Sequence, residues 1–527
     1  MVDEIRFLSE RVAKGKLSRR EFLGRAAVLG VSAVLANNLL AEAAWAEGPV
    51  KGGTLRAGLN GGQATDSLDP ALIGFDVQFI FSRQWGEQLV ELSADQELKP
   101  ALAEEWGGSK DAKVWTFKIR KGVQFHNGKE MTPTDVLATM ERHSDANSKS
   151  AVRALLQGID KIAVDGQNVV FTLKDGNADF PFIMNDLHLV VQPNGGKDNP
   201  NEGIGTGPYK VTMNNPGVRL GGEKFANYWR DDRGFADQIE IIVINDGTAR
   251  GSALQSGQVH MINRVDPKVV ELLKRFPDIT VRNAPGRSHS YFYCQCDTAP
   301  FDNNDLRLAL KYAVDREEMV QKILAGYGSV GNDTYVNKLY PLFTEIEQRI
   351  YDPDKAAFHY KKSGHTGSLL LQISEVAFPS AVDAAQLYQQ SAAKAGISIE
   401  VKREPADGYW DSVWGKVPFA GSSGAGRPTQ DMFYSLMLQS KAVWNETHFF
   451  NDKFDQMLVQ ARSELDADKR KKLYADMGQL VREEGGAIIP MFADFIDATG
   501  PQVGGWVSDG NNQSMNGYAL SKCWLQA

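Results

Sequence analysis

Between residue 50 and the C-terminus the apolar positions change period several times, and each change predicts an element. Val114-Trp115-Thr116-Phe117-Lys118-Ile119 alternates apolar and polar side chains, the period of a half-buried strand. Apolar runs at 162–164 and 169–173 flank Asp165-Gly166, a dipeptide suited to a hairpin turn. Residues 92–200 thus read as a small α+β unit. Before it lie a short strand at 54–58, a polar loop ending Asp66-Ser67-Leu68-Asp69-Pro70, and a helix through Phe79, Arg83 and Leu89. Between 203 and 284 the order is strand, loop, strand, helix, with 239–244 rich in β-formers and 249–256 helical. Further on, Leu306, Leu308, Leu310, Val314 and Met319 stand among charges, which predicts one helix over 304–325. A strand at 368–373, a helix at 379–395 and a strand at 397–401 make a βαβ unit in a partly parallel sheet. No repeat or low-complexity tether interrupts the pattern, so domain crossings are expected to be ordered strands.

The first 46 residues follow a different pattern. Ser18-Arg19-Arg20-Glu21-Phe22-Leu23-Gly24 precedes a modest apolar run at 26–36 and then Ala44-Trp45-Ala46. Arg19 and Arg20 fit a twin-arginine export signal, and Ala44 and Ala46 its small-residue cleavage site. The apolar run is about half the ~20 residues that a membrane span needs. No cysteine lies near the cut, so no lipid anchor is expected. The expected fate is export by the twin-arginine translocase and a soluble life in the periplasm.

With 527 residues the chain exceeds one hydrophobic core, and 42% hydrophobic with 24% charged residues is an ordinary globular composition. A net charge of −8 and no clustered Lys and Arg exclude nucleic acid as a partner. Cys294, Cys296 and Cys523 match no metal pattern. The first two, spaced two apart, are expected to share one strand face as small apolar groups, with a bond to Cys523 as the other reading. The eight histidines are scattered with no His-x-x-x-His pair, and Gly-x-Ser-x-Gly is missing, so neither a metal, nor a cofactor, nor a catalytic residue is expected. A nickel or metal-chelate carrier and an exported hydrolase stand as the alternatives to be tested.

Ten short stretches, in order, carry a resemblance. They are Gly52-Gly53-Thr54-Leu55, Leu68-Asp69-Pro70, Leu98-Lys99-Pro100-Ala101-Leu102-Ala103, Trp115-Thr116-Phe117, and Phe125-His126-Asn127-Gly128 before Asp135-Val136. There follow Gly205-Thr206-Gly207-Pro208-Tyr209, Asn227-Tyr228-Trp229, Pro300-Phe301-Asp302 before Arg307-Leu308-Ala309-Leu310, Ala313-Val314-Asp315-Arg316, and Phe454-Asp455. Together they resemble the peptide and nickel group of bacterial solute-binding proteins, family 5. The resemblance implies an α/β, two-lobed periplasmic binding protein fold of type II, large cluster, with an extra small α+β domain. It assigns 47–91, 203–284 and 486–527 to lobe I, 92–202 to the inserted domain and 285–485 to lobe II, with hinge strands near 282–285 and 485–489. It implies a monomer that binds a peptide-sized solute between the lobes and delivers it to a membrane permease with ATP-binding subunits.

Peptide binders of that family hold the ligand's amine on an Asp, and the matching segment here is Gly421-Ser422-Ser423-Gly424-Ala425-Gly426-Arg427-Pro428. Gly424 falls at the place of the Asp, and Arg427 replaces an acid before proline. A planar guanidinium suits a carboxylate or phosphate, so Arg427 turns the expectation toward an anionic or zwitterionic solute, opine-like conjugates of sugars and amino acids included. A surface Arg in a Gly-rich loop is the plainer reading. Candidate ligand contacts are Tyr409, Trp410, Ser422, Ser423, Arg427, Trp444, Asn445, His448 and Phe449 from one lobe, and Asp66, Arg83 and Trp85 from the other. Arg287, His289 and Tyr291 alternate along one strand face beside the hinge and form a second rank; each aromatic among these residues has core packing as its ordinary use.

Overall fold

Two long antiparallel strands, Thr280–Cys294 and Ala487–Thr499, form the spine of the computed structural model, which describes residues 8, 17, 19–28, 48–440, 442, 444–511 and 514–526. On the Thr280–Cys294 side the sheet continues through Phe419–Gly424, Leu369–Ile373 and Ile399–Arg403. On the other side it continues through Met261–Ile262, Thr54–Leu59, Gln238–Val243, Arg219–Lys224 and Tyr209–Asn215, with the short strand Gly328–Val330 also paired to Ala487–Thr499. A separate four-stranded antiparallel sheet holds Ala103–Gly108, Val114–Ile119, Asn168–Leu173 and Ile159–Asp165.

The cores follow this division. Phe117, Phe171 and Phe180 centre one core, drawn from residues 89–191 with Met432 added from far along the chain. Leu55, Ile80, Trp85, Ile239 and Leu520 belong to another, and the largest gathers apolar residues between 291 and 492. Along the spine, Ile496 and Ala498 pack with Leu254 and Ile262, whereas Phe292, Ile488 and Met491 lie in the largest core. The ladder shifts register between Ala284 and Ser288, opposite Phe495 and Ala493. There the chain passes between cores, because a Cβ on Gly286 would lie 2.4 Å from the Ala493 carbonyl and only glycine lets the strands approach so closely. The second expected crossing, 485–489, lies inside the largest core instead. Ile488 and Ile489 are fully buried, and a Cβ on Gly486 would come within 2.0 Å of the Cys294 carbonyl, so this glycine serves close packing.

Alternation at Val114–Ile119 and the turn around Gly166 appear as read. The βαβ reading also holds: Leu369–Ile373 and Ile399–Arg403 run parallel, joined by the helix Ala381–Ala393. The single helix over 304–325 is instead two, Asn304–Tyr312 and Arg316–Ile323. Asp315 breaks it by turning extended and accepting a hydrogen bond from the Glu318 amide (3.0 Å), which caps the second helix. All three cysteines are free; Cys294 and Cys523 sit in different cores, and the strand ends at Cys294, so Cys296 does not extend its face. Arg19 and Arg20 open a helix, Arg19–Val28, while Ala44 and Ala46 lie outside the described residues. Among the described residues no helix is long and apolar enough to cross a membrane.

Candidate functional site

The strand Phe419–Gly424 and the loop after it carry the departure noted in the sequence. His289 pairs with Gly424 and Tyr291 with Ser422 across the ladder. A Cβ on Gly424 would meet His289 Nε2 at 2.3 Å, and one on Gly426 would meet the Arg287 Cβ at 2.2 Å. The imidazole therefore fills the space in which an acidic side chain at 424 would start. His289 is buried among the rings of Tyr291, Tyr335, Phe433 and Phe492 at 5.3–5.5 Å, and burial pushes its pKa down to about 4. It sits there neutral, with Nδ1 against the Arg287 carbonyl.

Arg287 is buried too and works on the backbone. It donates to the carbonyls of Leu339 and Arg427 and stacks over the Tyr340 ring at 4.8 Å. The Tyr340 hydroxyl accepts from the Arg427 amide at 3.2 Å. Two buried side chains thus fix the main chain of Arg427 while its own side chain stays half-buried, with no ion pair among the described residues. Its charge acts on Asp186 and His188, which belong to the part of the chain built around the four-stranded sheet.

Asp186 and His188 were not singled out from the sequence. His188 Nδ1 lies 2.6 Å from Asp186 Oδ1, and Nε2 lies 3.0 Å from the Ile73 carbonyl. Burial opposes both charges, but the pairing prevails: the carboxyl is held below its ordinary value and the imidazole above its own. Arg427 reinforces the first shift and opposes the second. The sequence signal was only an Asp-x-His spacing, which has many bland readings.

Most other candidates are scaffold, and their burial is the reason. The Arg83 guanidinium donates to Gln88 Oε1 (3.1 Å) and the Asn185 carbonyl (3.2 Å) and lies over the Tyr518 ring. Trp85 is 1% exposed in a core. Tyr409 is buried and donates to the Gly421 carbonyl at 2.7 Å; Asn445 ties the loop ends together through the carbonyls of Leu438 and Phe449; Phe449 packs on Phe454. Tyr291 is fully buried and donates to Glu446, and Ser422 is buried beside them. Ser423 is exposed, with its hydroxyl committed to the Ala377 carbonyl at 2.6 Å. His448 pairs with Asp297 at 2.8 Å and stacks on Phe450. Asp66 is half-buried, accepts from the Gln63 amide, and desolvation raises its pKa. Trp410 and Trp444 keep 40% and 42% of their surface, and together with Arg427, Asp66, Ser423 and His448 they are the candidates that keep surface for a ligand.

Glu446 is the other residue the sequence did not flag. Its carboxyl is buried, its donors among the described residues are neutral (Tyr291, Ser422, Trp414), and burial pushes its pKa up to about 7. Among the described residues no cluster of three His, Cys, Asp or Glu could hold a metal ion.

This chain belongs to the bacterial extracellular solute-binding proteins, family 5, whose middle-region model matches residues 97–446. It is 28% identical over 481 residues to heme-binding protein A of Haemophilus influenzae, covering 83% of this chain and 86% of that one. It is 24% identical over 435 residues to the glutathione-binding protein GsiB of Pectobacterium atrosepticum, covering 79% and 84%. The structure of the binding protein AgaA in complex with agropinic acid, from A. tumefaciens R10, superposes with a TM-score of 0.77 at 23% identity over 90% of this chain and 99% of that one. The fold is the two-lobed one of periplasmic binding proteins, and the family makes this chain a bacterial extracellular solute-binding protein.

Proposed function

We propose that the chain captures an anionic or zwitterionic solute, peptide-like or an opine-like conjugate, between its two lobes and passes it to a permease driven by ATP-binding subunits. Lobe I comprises 47–91, 203–284 and the chain beyond 493–495, with the inserted domain 92–202, and lobe II comprises 285–485 together with 486–492, whose Ile488, Met491 and Phe492 lie in the largest core. The lobes move as a monomer about the register shift at 284–288 and 493–495. The observation that carries the ligand class is Arg427: a guanidinium on a rigidly held main chain, without an ion pair among the described residues, whose field reaches residues of the facing lobe. Such a fork accepts a carboxylate in two parallel hydrogen bonds, and Trp410 and Trp444 offer apolar faces to the rest of the solute. Glutathione and agropinic acid, named for two of the relatives, are both acidic compounds. Export by the twin-arginine route is proposed from Arg19 and Arg20 in their Ser-Arg-Arg-x-Phe-Leu setting, the apolar run at 26–36 and Ala44-Trp45-Ala46.

A thermal-shift screen of the protein with peptides, opines, acidic sugar conjugates and Ni²⁺ tests this reading, because a ligand selective for the folded state raises Tm by mass action. Acidic conjugates should give the shift, and Arg427→Ala should remove it. A shift with Ni²⁺ alone, or one indifferent to Arg427→Ala, would overturn the assignment.

A further inference from the structure

The inserted domain and the second lobe share a buried interface that the ligand reading does not use. Asp179 opens the short helix Phe180–Ile183, and its Oδ1 accepts from Arg470 Nη2 at 2.6 Å. One residue earlier, the Ala178 amide donates to the Arg462 carbonyl at 2.7 Å. Arg462 in turn holds Asp431 at 3.0 and 3.3 Å and donates to Ser435, while Arg470 also reaches the Tyr474 hydroxyl and the Ala461 carbonyl. Beside Asp431, Met432 is 2% exposed and completes the core of the inserted domain. Asp179, Asp431 and Arg470 are each at most 8% exposed; burial raises the pKa of Asp431, Arg462 and Arg470 oppose that rise, and the charge of Asp179 adds to it.

We infer that Asp179, Asp431, Arg462 and Arg470, with Met432 as a plug, form a latch that holds the inserted domain of the first lobe against the second and must be uncovered each time the lobes part. Movement about the spine near residue 286 separates 176–180 from 431–474, so the Asp179–Arg470 pair and the Ala178–Arg462 hydrogen bond cannot survive it. The chemistry suits a contact that reopens. Two charges of each sign attract one another when buried and regain water when exposed, so the loss of one offsets the gain of the other. An apolar contact of the same size has no such return, and would hold the lobes shut. The inference rests on the two-lobed closure proposed above, but its test is separate: a failed ligand screen leaves the exchange result standing, and flat exchange leaves the screen standing.

Hydrogen exchange of the purified full chain, read at a peptide covering 176–183 and at one covering 168–173, tests it alongside the radius of gyration from small-angle scattering. Arg470→Met should speed exchange at 176–183 about tenfold and enlarge the molecule, with 168–173 unchanged. Asp179→Leu combined with Arg470→Met should slow exchange at 176–183 below that of the parent protein. If Arg470→Met also loosens 168–173, the swapped pair Asp179→Arg with Arg470→Asp decides: recovered protection at both peptides supports the latch, and continued loss overturns it. Unchanged exchange at 176–183 in Arg470→Met, or a double variant that exchanges faster than the parent, overturns it as well.

Discussion

Asp333 and Asp179 are both buried carboxylates held by arginines, yet one is enclosed by a single core and the other is shared between two parts of the chain. Asp333 takes Arg316 Nη2 at 2.7 Å on both oxygens, Arg349 Nε at 2.9 Å and the Ile489 amide at 3.0 Å, with Asp333 and Arg349 wholly out of water. Its partners all lie between residues 316 and 489, within the largest core. Asp179 instead joins residues 291 positions apart, across a surface that water can enter when the parts separate. The same chemistry therefore does different work: in the first place it fixes one core, in the second it sets how readily two bodies part.

Asp333→Asn should produce the largest effect, because it leaves Arg316 and Arg349 uncompensated inside the core; about 3–5 kcal/mol is expected in a urea titration. Arg470→Met should cost less than half as much in that titration, and equal losses would erase the distinction. Next comes Gly424→Asp, which puts an acid into the enclosed region against His289. Overpacking of this kind costs about 1–3 kcal/mol, and His289→Ala should recover much of it; full stability in the single variant would show that the imidazole is not what excludes the acid. The smallest effect concerns Glu446, a buried carboxyl with no cation beside it among the described residues. Its folded pKa of about 7 lies above the ordinary 4.5, so the folded state binds the extra proton and stability is lost as pH rises through the folded value. Glu446→Gln should flatten the fall in Tm between about pH 5 and 7, and an unchanged slope would assign that fall to other groups, such as Asp497, which burial also pushes up to about 7.

Local pattern made much of the fold legible. Alternation at Val114–Ile119 and the Asp-Gly turn depend on neighbours a few residues away, and both came out as read. The break in the 304–325 helix was legible only to a reader who weighed Asp315 as a cap above the apolar spacing on either side. The site was less legible because burial decides it. Arg83, Trp85 and Tyr409 are residue types that serve ligands and cores alike, and only their partners, Tyr518 and Asn185 for the first and the Gly421 carbonyl for the last, show which. Gly424 was recognisable as a missing acid, but its cause lies on another strand, in His289, 135 residues earlier in the chain. Asp186 and His188 gain meaning only from the approach of Arg427, which no local pattern encodes.

The three cysteines have a consequence for where this chain completes its fold. Cys294 and Cys523 are sealed in separate cores, burial drives the Cys294 thiol well above its ordinary range, and Cys296 leans toward the Glu484 carbonyl without bonding to another sulfur. No covalent cross-link has to form for any lobe to reach its final packing. Such a protein needs neither an oxidant nor a disulfide isomerase, and its sulfur chemistry is the same in a reducing compartment as in an oxidising one. The place where it matures and the place where it works are therefore chemically independent of each other.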